Sequence, residues 1–478
     1  MRFKENEELH LGENYEFTVI ISHDSHKHVG TLSLSSKNIT LKITGESDEN
    51  RGFEIGFKNI KVMKCSAFRN SFLLFDLTVR SSSNGVIDRQ QKRYFHECIF
   101  DVKYLIQSDG SLNKASTFNT IHLHSPDIQK WIGHTSKQYE LMDAFSIENS
   151  SPNVFDIDSD EFNSSIENLG DLCLRYNPII FGTPDNFATG MQFPPSIDMY
   201  LDQESLLESC FTLQKNIHEI ISFLFGKMIK IEKVLLSAPH RKSFSLYYPT
   251  DILAVFSGND YALFPLSRNL KHDTLGLPEL PLEIFNNFFN SRKKSFVGKY
   301  LKYRSMQNAE ERFLGYFRML ESLCYQKAYY VDEALLKDTL KKLKPIAIRI
   351  FGEKVPVTSL LKRTIKLNSS KYNTERCIAL FLEKLPKSLT NSLRFTEKDL
   401  EKICKARNDI THANEIMLDE YELFGFEKFI ETLFILAMLD NLKVDLADSS
   451  KIIHRNHGFH HIRKQPEPNY VYIEKLEG

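Results

Sequence analysis

The hydrophobic periodicity of this chain becomes helical near residue 281 and stays helical, and that change constrains the fold more than any other feature. Upstream, apolar residues alternate with polar ones, as at Ile39, Leu41 and Ile43, which is the period of a β-strand. Downstream, apolar residues recur at helical spacing in one segment after another. The sequence therefore predicts an α+β multidomain protein, in which a β-rich N-terminal region precedes an all-α helical bundle.

The N-terminal region is predicted to hold several short strands joined by polar turns, which is typical of a β-sandwich or a partly open barrel. We assign residues 1–138 to a β-rich domain and residues 139–280 to a mixed α/β continuation of it. A polar linker is expected at 140–170, where Ser, Asn, Asp and Glu dominate and the periodicity is lost. Further along, the pattern predicts a helix at 203–225 and strands at 234–236 and 244–248.

Residues 281–445 are predicted to form an antiparallel bundle of helices with short connections. The tail, 446–478, is basic and rich in histidine as far as Lys464, and is expected to be solvated. Helical spacing is found at 284–303, 307–329, 332–343, 358–367, 374–385, 397–413 and 419–442.

Composition excludes several classes of protein. The 478 residues carry a net charge of −1, so nucleic acid would have to be bound by a local basic patch. The seven cysteines are scattered and form no CxxC pair, which argues for a reducing compartment and against a thiolate metal site. The N-terminus is too charged for a signal peptide, and no apolar run reaches the length of a membrane span. We expect a soluble cytoplasmic protein.

The stretch 396–414 carries the residues that are most informative about function. It is predicted to be one amphipathic helix, because Thr396 and Asp399 have the spacing of a capping box and Leu400, Ile403, Cys404 and Ile410 form an apolar stripe. Arg407 falls on that stripe, where an unpaired cation would be costly. Asn408 follows it, and His412 lies five residues beyond the arginine.

An arginine and a histidine can together cleave RNA without a metal ion. Histidine can take a proton from a ribose 2′-hydroxyl or give one to the leaving 5′-oxygen, and arginine can stabilise the charge at phosphorus. Asn408 would orient these groups, and Glu321, on a neighbouring predicted helix, would pair with Arg407. Five residues of ideal helix turn the chain by about 500°, so Arg407 and His412 point roughly 140° apart. They meet only if the helix end is distorted or if two copies face each other across a two-fold axis.

The motif is not specific on its own, because Arg455, Asn456 and His460 repeat the same Arg-Asn-x3-His spacing. Gly458 makes that second match a poor helix, so we interpret Arg455, His457, Arg463 and Lys464 as RNA-binding residues of a basic tail. The tail histidines lack the cysteines or carboxylates that usually complete a metal site, and no metal is predicted. An ordinary helix ion pair is the competing interpretation of Arg407.

His122 and His124 share one face of a predicted strand, and we interpret both as surface histidines.

The C-terminal part, about 300–445, resembles a HEPN domain of the ApeA-like kind. The resemblance rests on EERFLGYFRMLESL at 310–323 and on KARNDITHANE at 405–415, and the runs 30–45 and 118–133 are similar to the β-rich domain that precedes HEPN in those proteins. It implies a metal-independent endoribonuclease of antiphage defence that acts by abortive infection. By this resemblance Arg407 and His412 are catalytic, Asn408 is the polar motif residue, and Glu321 is the supporting acid.

The sequence thus predicts an RNA-cleaving protein that needs no cofactor, has tRNA or mRNA as its substrate, and forms a homodimer through the bundle. The N-terminal region would sense a phage-derived trigger or restrain the helical bundle. The alternative is a non-catalytic HEPN module that dimerises or docks RNA or a protein partner.

Overall fold

The structure is a computed structural model. It describes residues 8–23, 26–47, 59–68, 70–88, 93–144, 158–183, 188–239, 242–250, 262–266, 277–326, 329–352, 356–368, 374–412 and 419–464. The chain divides into two compact units. The first comprises residues 1–221, 228–256 and 266–268, and the second comprises 222–227, 257–265 and 269–478.

The first unit is built on β-strands. In chain order they are β1 (Tyr15–His23), β2 (His26–Leu34), β3 (Ile39–Ser47), β4 (Ile60–Ser66), β5 (Ser71–Asp88), β6 (Arg93–Val102), β7 (Tyr104–Ser108), β8 (Thr117–His124), β9 (Asp160–Ile166), β10 (Gly170–Tyr176), β11 (Ile179–Thr183), β12 (Ala188–Gln192), β13 (Pro195–Leu206), β14 (Lys233–Ser237) and β15 (Ser243–Tyr247). Three helices accompany them: α1 (Pro126–Ile132), α2 (Ser136–Ala144) and α3 (Leu207–Phe225).

Thirteen of these strands form one sheet, in the order β4-β1-β2-β3-β6-β5-β7-β15-β14-β8-β13-β10-β9. Because β4 also pairs with β5, the first six strands close into a ring, whereas the sequence predicted a β-sandwich or a partly open barrel. Strands from before and after residue 139 lie in the same sheet, so the division that we placed at 138/139 does not coincide with a break in it. Alternation explains the core, since Ile39, Leu41 and Ile43 of β3 are fully buried.

The polar linker predicted at 140–170 is wrong over part of its length. Residues 160–166 form β9, which lies at the edge of the sheet, and residues 145–157 lie outside the described residues. The helix predicted at 203–225 begins at Leu207 as α3, and the two strands predicted after it are present as β14 and β15.

The second unit is helical, as predicted. Its helices are α4 (Glu283–Asn290), α5 (Ser295–Arg304), α6 (Ala309–Cys324), α7 (Glu333–Phe351), α8 (Val357–Leu367), α9 (Thr374–Lys384), α10 (Lys387–Ser392), α11 (Leu400–Thr411), α12 (Glu420–Asn441) and α13 (Leu446–Ile452). The helix predicted at 284–303 is broken between Asn290 and Ser295, and α7 runs eight residues past its predicted end at Leu343, with Pro345 inside it.

Helix α12 is the centre of this unit, and its residues from Gly425 to Leu439 are all buried. It packs against α6, which in turn contacts α5, α9 and α11. Buried charges on α12 are paired, because Glu427 accepts two hydrogen bonds from Arg312 of α6, at 2.8 and 2.7 Å. Within the described residues, no helix is long and apolar enough to cross a membrane.

Candidate functional site

The beginning of helix α11 is fixed by the predicted capping box. The carboxylate of Asp399 accepts hydrogen bonds from the backbone N–H of Thr396, at 2.7 Å, and from its hydroxyl, at 3.1 Å. The preceding Phe395 is buried against the rings of Phe426 and Phe429 on α12, with centroids 5.3 and 5.5 Å apart. These contacts set the position of α11 on the bundle, and with it the position of every residue of the motif.

The inner face of α11 carries Leu400, Ile403 and Ala406, which are all buried. Arg407 follows directly, with 29% of its side chain exposed, so it lies at the rim of the packed interface. Its guanidinium sits over the ring of Phe317 on α6, 5.3 Å from the centroid.

The Glu321 carboxylate joins three helices. Its Oε2 accepts a hydrogen bond from Nη2 of Arg407 at 3.0 Å, and its Oε1 accepts one from the hydroxyl of Thr374 at the start of α9. The pairing of Glu321 with Arg407 that the sequence predicted is therefore present across 86 residues of chain. Thr374 was missed, because nothing in the local pattern indicates that a hydroxyl at the start of one helix reaches an acid on another.

Asn408 orients the guanidinium from the other side, since its Oδ1 accepts a hydrogen bond from Nη1 of Arg407 at 2.8 Å. An arginine has five N–H donors in a planar fork. With one hydrogen bond to Glu321 and one to Asn408, Arg407 is held in place and keeps donors for an anionic group in solvent.

The helix ends at Thr411, with His412 as its C-cap, and residues 413–414 of the predicted segment lie outside the described residues. The Thr411 hydroxyl donates to the carbonyl of Arg407 at 2.7 Å, which competes with helix continuation. His412 has φ −97° and ψ 6°, and its N–H still donates to the carbonyl of Asn408 at 3.0 Å. The i→i−4 hydrogen bonding of the helix therefore extends to the histidine, and on an ideal helix side chains five residues apart diverge by roughly 140°.

The His412 side chain is exposed, and it makes no hydrogen bond with the described residues. An imidazole in this position is open to a nucleotide. Within one chain, ideal helix geometry directs it away from the guanidinium.

The only other reactive side chain on α11 is that of Cys404. Burial, with Glu375 as a further contributor, raises the pKa of its thiol to about 12, so it stays protonated near neutral pH. All seven cysteines are free. Among the described residues no group of three or more His, Cys, Asp or Glu side chains is placed to hold a metal ion.

Residues 446–464 of the basic tail are not solvated as expected, because they fold onto the bundle, and residues 465–478 lie outside the described residues. Arg455 is only 6% exposed, and its Nε donates to the carbonyl of Ala262 at 2.7 Å. The expectation that Arg455 binds RNA from a solvated tail is therefore wrong, since a buried guanidinium bonded to a backbone carbonyl cannot reach a phosphate. Gly458 has φ +82°, which confirms that the second Arg-Asn-x3-His match is not helical.

The other three tail residues are closer to the surface. Lys464 is exposed, while His457 and Arg463 are half-buried. The segment is tied down by backbone hydrogen bonds, from Arg394 to Ile462 at 2.6 Å and from Lys464 to Ser392 at 2.8 Å. RNA binding by His457, Arg463 and Lys464 stays a prediction.

The fold and the site together define a two-part protein, in which a β-rich unit precedes a helical bundle that carries an Arg-Asn-x3-His motif and a supporting glutamate. Residues 13–268 match the family model for ApeA N-terminal domain 1, and residues 314–448 match that for the Apea-like HEPN domain. The chain belongs to the ApeA-like HEPN proteins. No curated protein and no solved structure matches it.

Proposed function

We propose that this protein is a metal-independent endoribonuclease whose catalytic residues are Arg407 and His412. The observation that carries the proposal is the contrast between the two side chains. The guanidinium is fixed by Glu321 and Asn408 and keeps donors toward solvent, while the imidazole is exposed at the end of the same helix. Phosphodiester cleavage requires a rigid anion binder and an accessible proton carrier at one phosphate, and the motif supplies one of each.

The chemistry uses the 2′-hydroxyl of the RNA as the nucleophile. As its oxygen attacks the adjacent phosphorus, the proton passes to an imidazole, and the bond from phosphorus to the 5′-oxygen breaks. A protonated imidazole supplies the proton to that leaving oxygen. Arg407 donates hydrogen bonds to the phosphoryl oxygens, where negative charge accumulates in the transition state.

Two copies of the chain are needed to bring these groups together. Since Arg407 and His412 diverge on one helix, an arginine from one copy and a histidine from the other would converge on one cleft across a two-fold axis. The proposed active form is therefore a homodimer through the bundle.

Membership of the ApeA-like HEPN family supports a role in antiphage defence, with RNA cleavage as the toxic step of abortive infection. In this proposal the β-rich unit senses a phage-derived trigger or restrains the bundle, and tRNA or mRNA is the substrate.

The test is RNA cleavage in EDTA by the purified full-length protein, with tRNA and mRNA as substrates. We expect cleavage by the wild type and none by His412→Ala, while His460→Ala, which changes another exposed histidine of the same unit, should cleave normally. Because His412 is exposed, its replacement should change the free energy of unfolding by no more than about 0.5 kcal/mol. Equal cleavage by His412→Ala at matched purity would refute the proposal.

The second candidate function is a non-catalytic module that docks RNA or a partner. It is favoured by one observation, the Glu321–Arg407 ion pair, which a purely structural arginine would also make. Binding of RNA without any cleavage in the same experiment would establish this alternative.

A further inference from the structure

Three neighbouring strands of the sheet in the first unit place an acid, a histidine and a serine on one face. In the strand register Asp198 of β13 lies opposite His122 of β8, and Leu235 of β14 lies opposite the same histidine. Ser237 is two residues beyond Leu235, so its side chain points to the same face.

The three side chains are connected in a line. His122 Nδ1 is 3.0 Å from Oδ1 of Asp198, and its Nε2 is 3.1 Å from Oγ of Ser237. An ionised carboxylate can only accept hydrogen bonds and cannot donate them, so Asp198 fixes the proton of a neutral imidazole on Nδ1. The lone pair on Nε2 then faces the serine hydroxyl, which is the arrangement of a general base beside a nucleophile.

The acid is held by further contacts. Asp198 is 2% exposed and accepts hydrogen bonds from the hydroxyl of Ser196 at 2.9 Å and from that of Tyr200 at 3.4 Å. Such contacts fix the carboxylate, and through it the orientation of the imidazole.

The Ser237 end of this row of hydrogen-bonded side chains is partly exposed to solvent. Ser237 is half-buried, and its Oγ lies 2.8 Å from the hydroxyl of Ser243, which is exposed on β15. With the Ser237 proton directed at His122, Ser243 is the donor of this bond and lowers the cost of negative charge on the Ser237 oxygen. Burial, together with Lys233, lowers the pKa of the neighbouring His124 to about 4, so His124 is neutral near pH 7 and does not neutralise Asp198.

We propose that Ser237, His122 and Asp198 form a second catalytic site, in which Ser237 is a nucleophile toward an activated acyl ester. An ester is favoured over an amide because its leaving group needs less proton assistance.

The reaction balances with water as the only co-reactant. The Ser237 oxygen bonds to the carbonyl carbon as its proton passes to Nε2 of His122, and the alcohol leaves with that proton as its C–O bond breaks. Water then attacks the acyl carbon and gives a proton to Nε2. Ser237 leaves, regains the proton, and the carboxylic acid is released.

The experiment treats the full-length chain with a biotinylated fluorophosphonate, which labels activated serines, and maps the adduct by peptide mass spectrometry. We expect labelling of Ser237 in the wild type and in the control Ser165→Ala, which removes an exposed serine of the same sheet, and none in Ser237→Ala. His122→Ala should reduce the labelling rate by about 100-fold or more. The assay contains no RNA, so its outcome is independent of Arg407 and His412.

A variant that loses labelling because it misfolds is recognised by thermal melting. Asp198→Asn, which keeps the shape of the side chain, should melt near the wild type and lose on the order of 10³-fold in labelling rate, since an amide no longer fixes the tautomer of the histidine. No labelling of the native wild type above a heat-denatured sample would overturn the proposal. An adduct on another serine, or full labelling of folded His122→Ala, would also overturn it and leave these residues as a cross-strand hydrogen-bonded ladder.

Discussion

Mixing two inactive variants tests how the motif is assembled. Helix α11 ends at Thr411, and the N–H of His412 still bonds to the Asn408 carbonyl at 3.0 Å, so we infer from ideal helix geometry that Arg407 and His412 of one chain point roughly 140° apart. Each catalytic centre of the dimer should then combine Arg407 of one chain with His412 of the other. A dimer of one Arg407→Ala chain and one His412→Ala chain keeps both wild-type residues in one of its two centres and neither in the other.

The expected activity follows from this count. Heterodimers isolated through two different affinity tags should cleave RNA at about half the wild-type rate, and an unsorted equal mixture at about one quarter, because random pairing makes half of the dimers mixed. Both parent homodimers should be inactive.

The matched control is a heterodimer of the wild type with a chain that carries both substitutions. If the residues act across the dimer, neither of its centres is complete and it should be inactive; if they act within one chain, it should keep about half of the activity. The reasoning is refuted by activity in this control combined with none in the mixture of single variants.

Three further predictions concern charged side chains. Glu321→Ala should cost at most about 1 kcal/mol of unfolding free energy, because the Glu321 and Arg407 side chains are 37% and 29% exposed. It should nevertheless reduce RNA turnover by about 10–100-fold, because it releases the guanidinium of Arg407. Melting measures the first effect and single-turnover cleavage the second, and an unchanged cleavage rate would contradict the positioning role. Arg455→Ala should lower the unfolding free energy by about 2 kcal/mol or more, since it leaves a buried carbonyl without its donor. Replacement of the exposed Lys464 by Ala should change it by no more than about 0.5 kcal/mol in denaturant titrations. Similar losses for both variants would contradict the buried placement of Arg455. Burial opposes ionisation of Glu431, but the cations around it, with Lys428 the largest contributor, lower its pKa below the ordinary 4.5. The stabilisation that its ionised form provides is therefore complete above pH 4.5 and is lost as the pH falls through the lower pKa of the folded state. The unfolding free energy of Glu431→Gln should vary less with pH in that range than that of the wild type, and parallel curves would contradict this.

Interactions between near neighbours in the chain could be predicted from the sequence. The cap of α11 needs only Thr396 and Asp399, three residues apart, and both contacts are present. The Glu321–Arg407 pair was also predicted, because an arginine on an apolar stripe requires an acid and α6 carries one on its inner side. The third member of that contact, Thr374, depends on how α9 packs against α6, which no local pattern encodes.

Strand β9 shows why composition misled the prediction of a linker. Its buried positions are Phe162, Ser164 and Ile166, so a serine occupies one of three inward positions and hides the alternation. The outward residues of an edge strand are free to be polar, and β9 is the last strand of the sheet. A polar average over such a segment therefore does not distinguish a strand from a loop.

The hydrogen-bonded set of Asp198, His122 and Ser237 was not predicted from the sequence for a related reason. Its three members come from positions 122, 198 and 237, and only the strand order places β8 between β13 and β14. Two histidines on a polar strand face are indistinguishable in the sequence from surface residues, as we interpreted them.

The spacing of the HEPN motif has a physical consequence that goes beyond its residue types. A histidine four residues after Arg407 would be about 400° further round the helix, only about 40° away, and one chain could present both groups to the same phosphate. Five residues put them on different sides of α11, where one side chain is tethered to the bundle and the other has no hydrogen bond to the described residues. The same spacing allows Glu321 to fix the arginine without also burying the imidazole. In the proposed function, a motif built in this way favours a centre that is completed by a second chain, and cleavage would depend on assembly and not on folding alone.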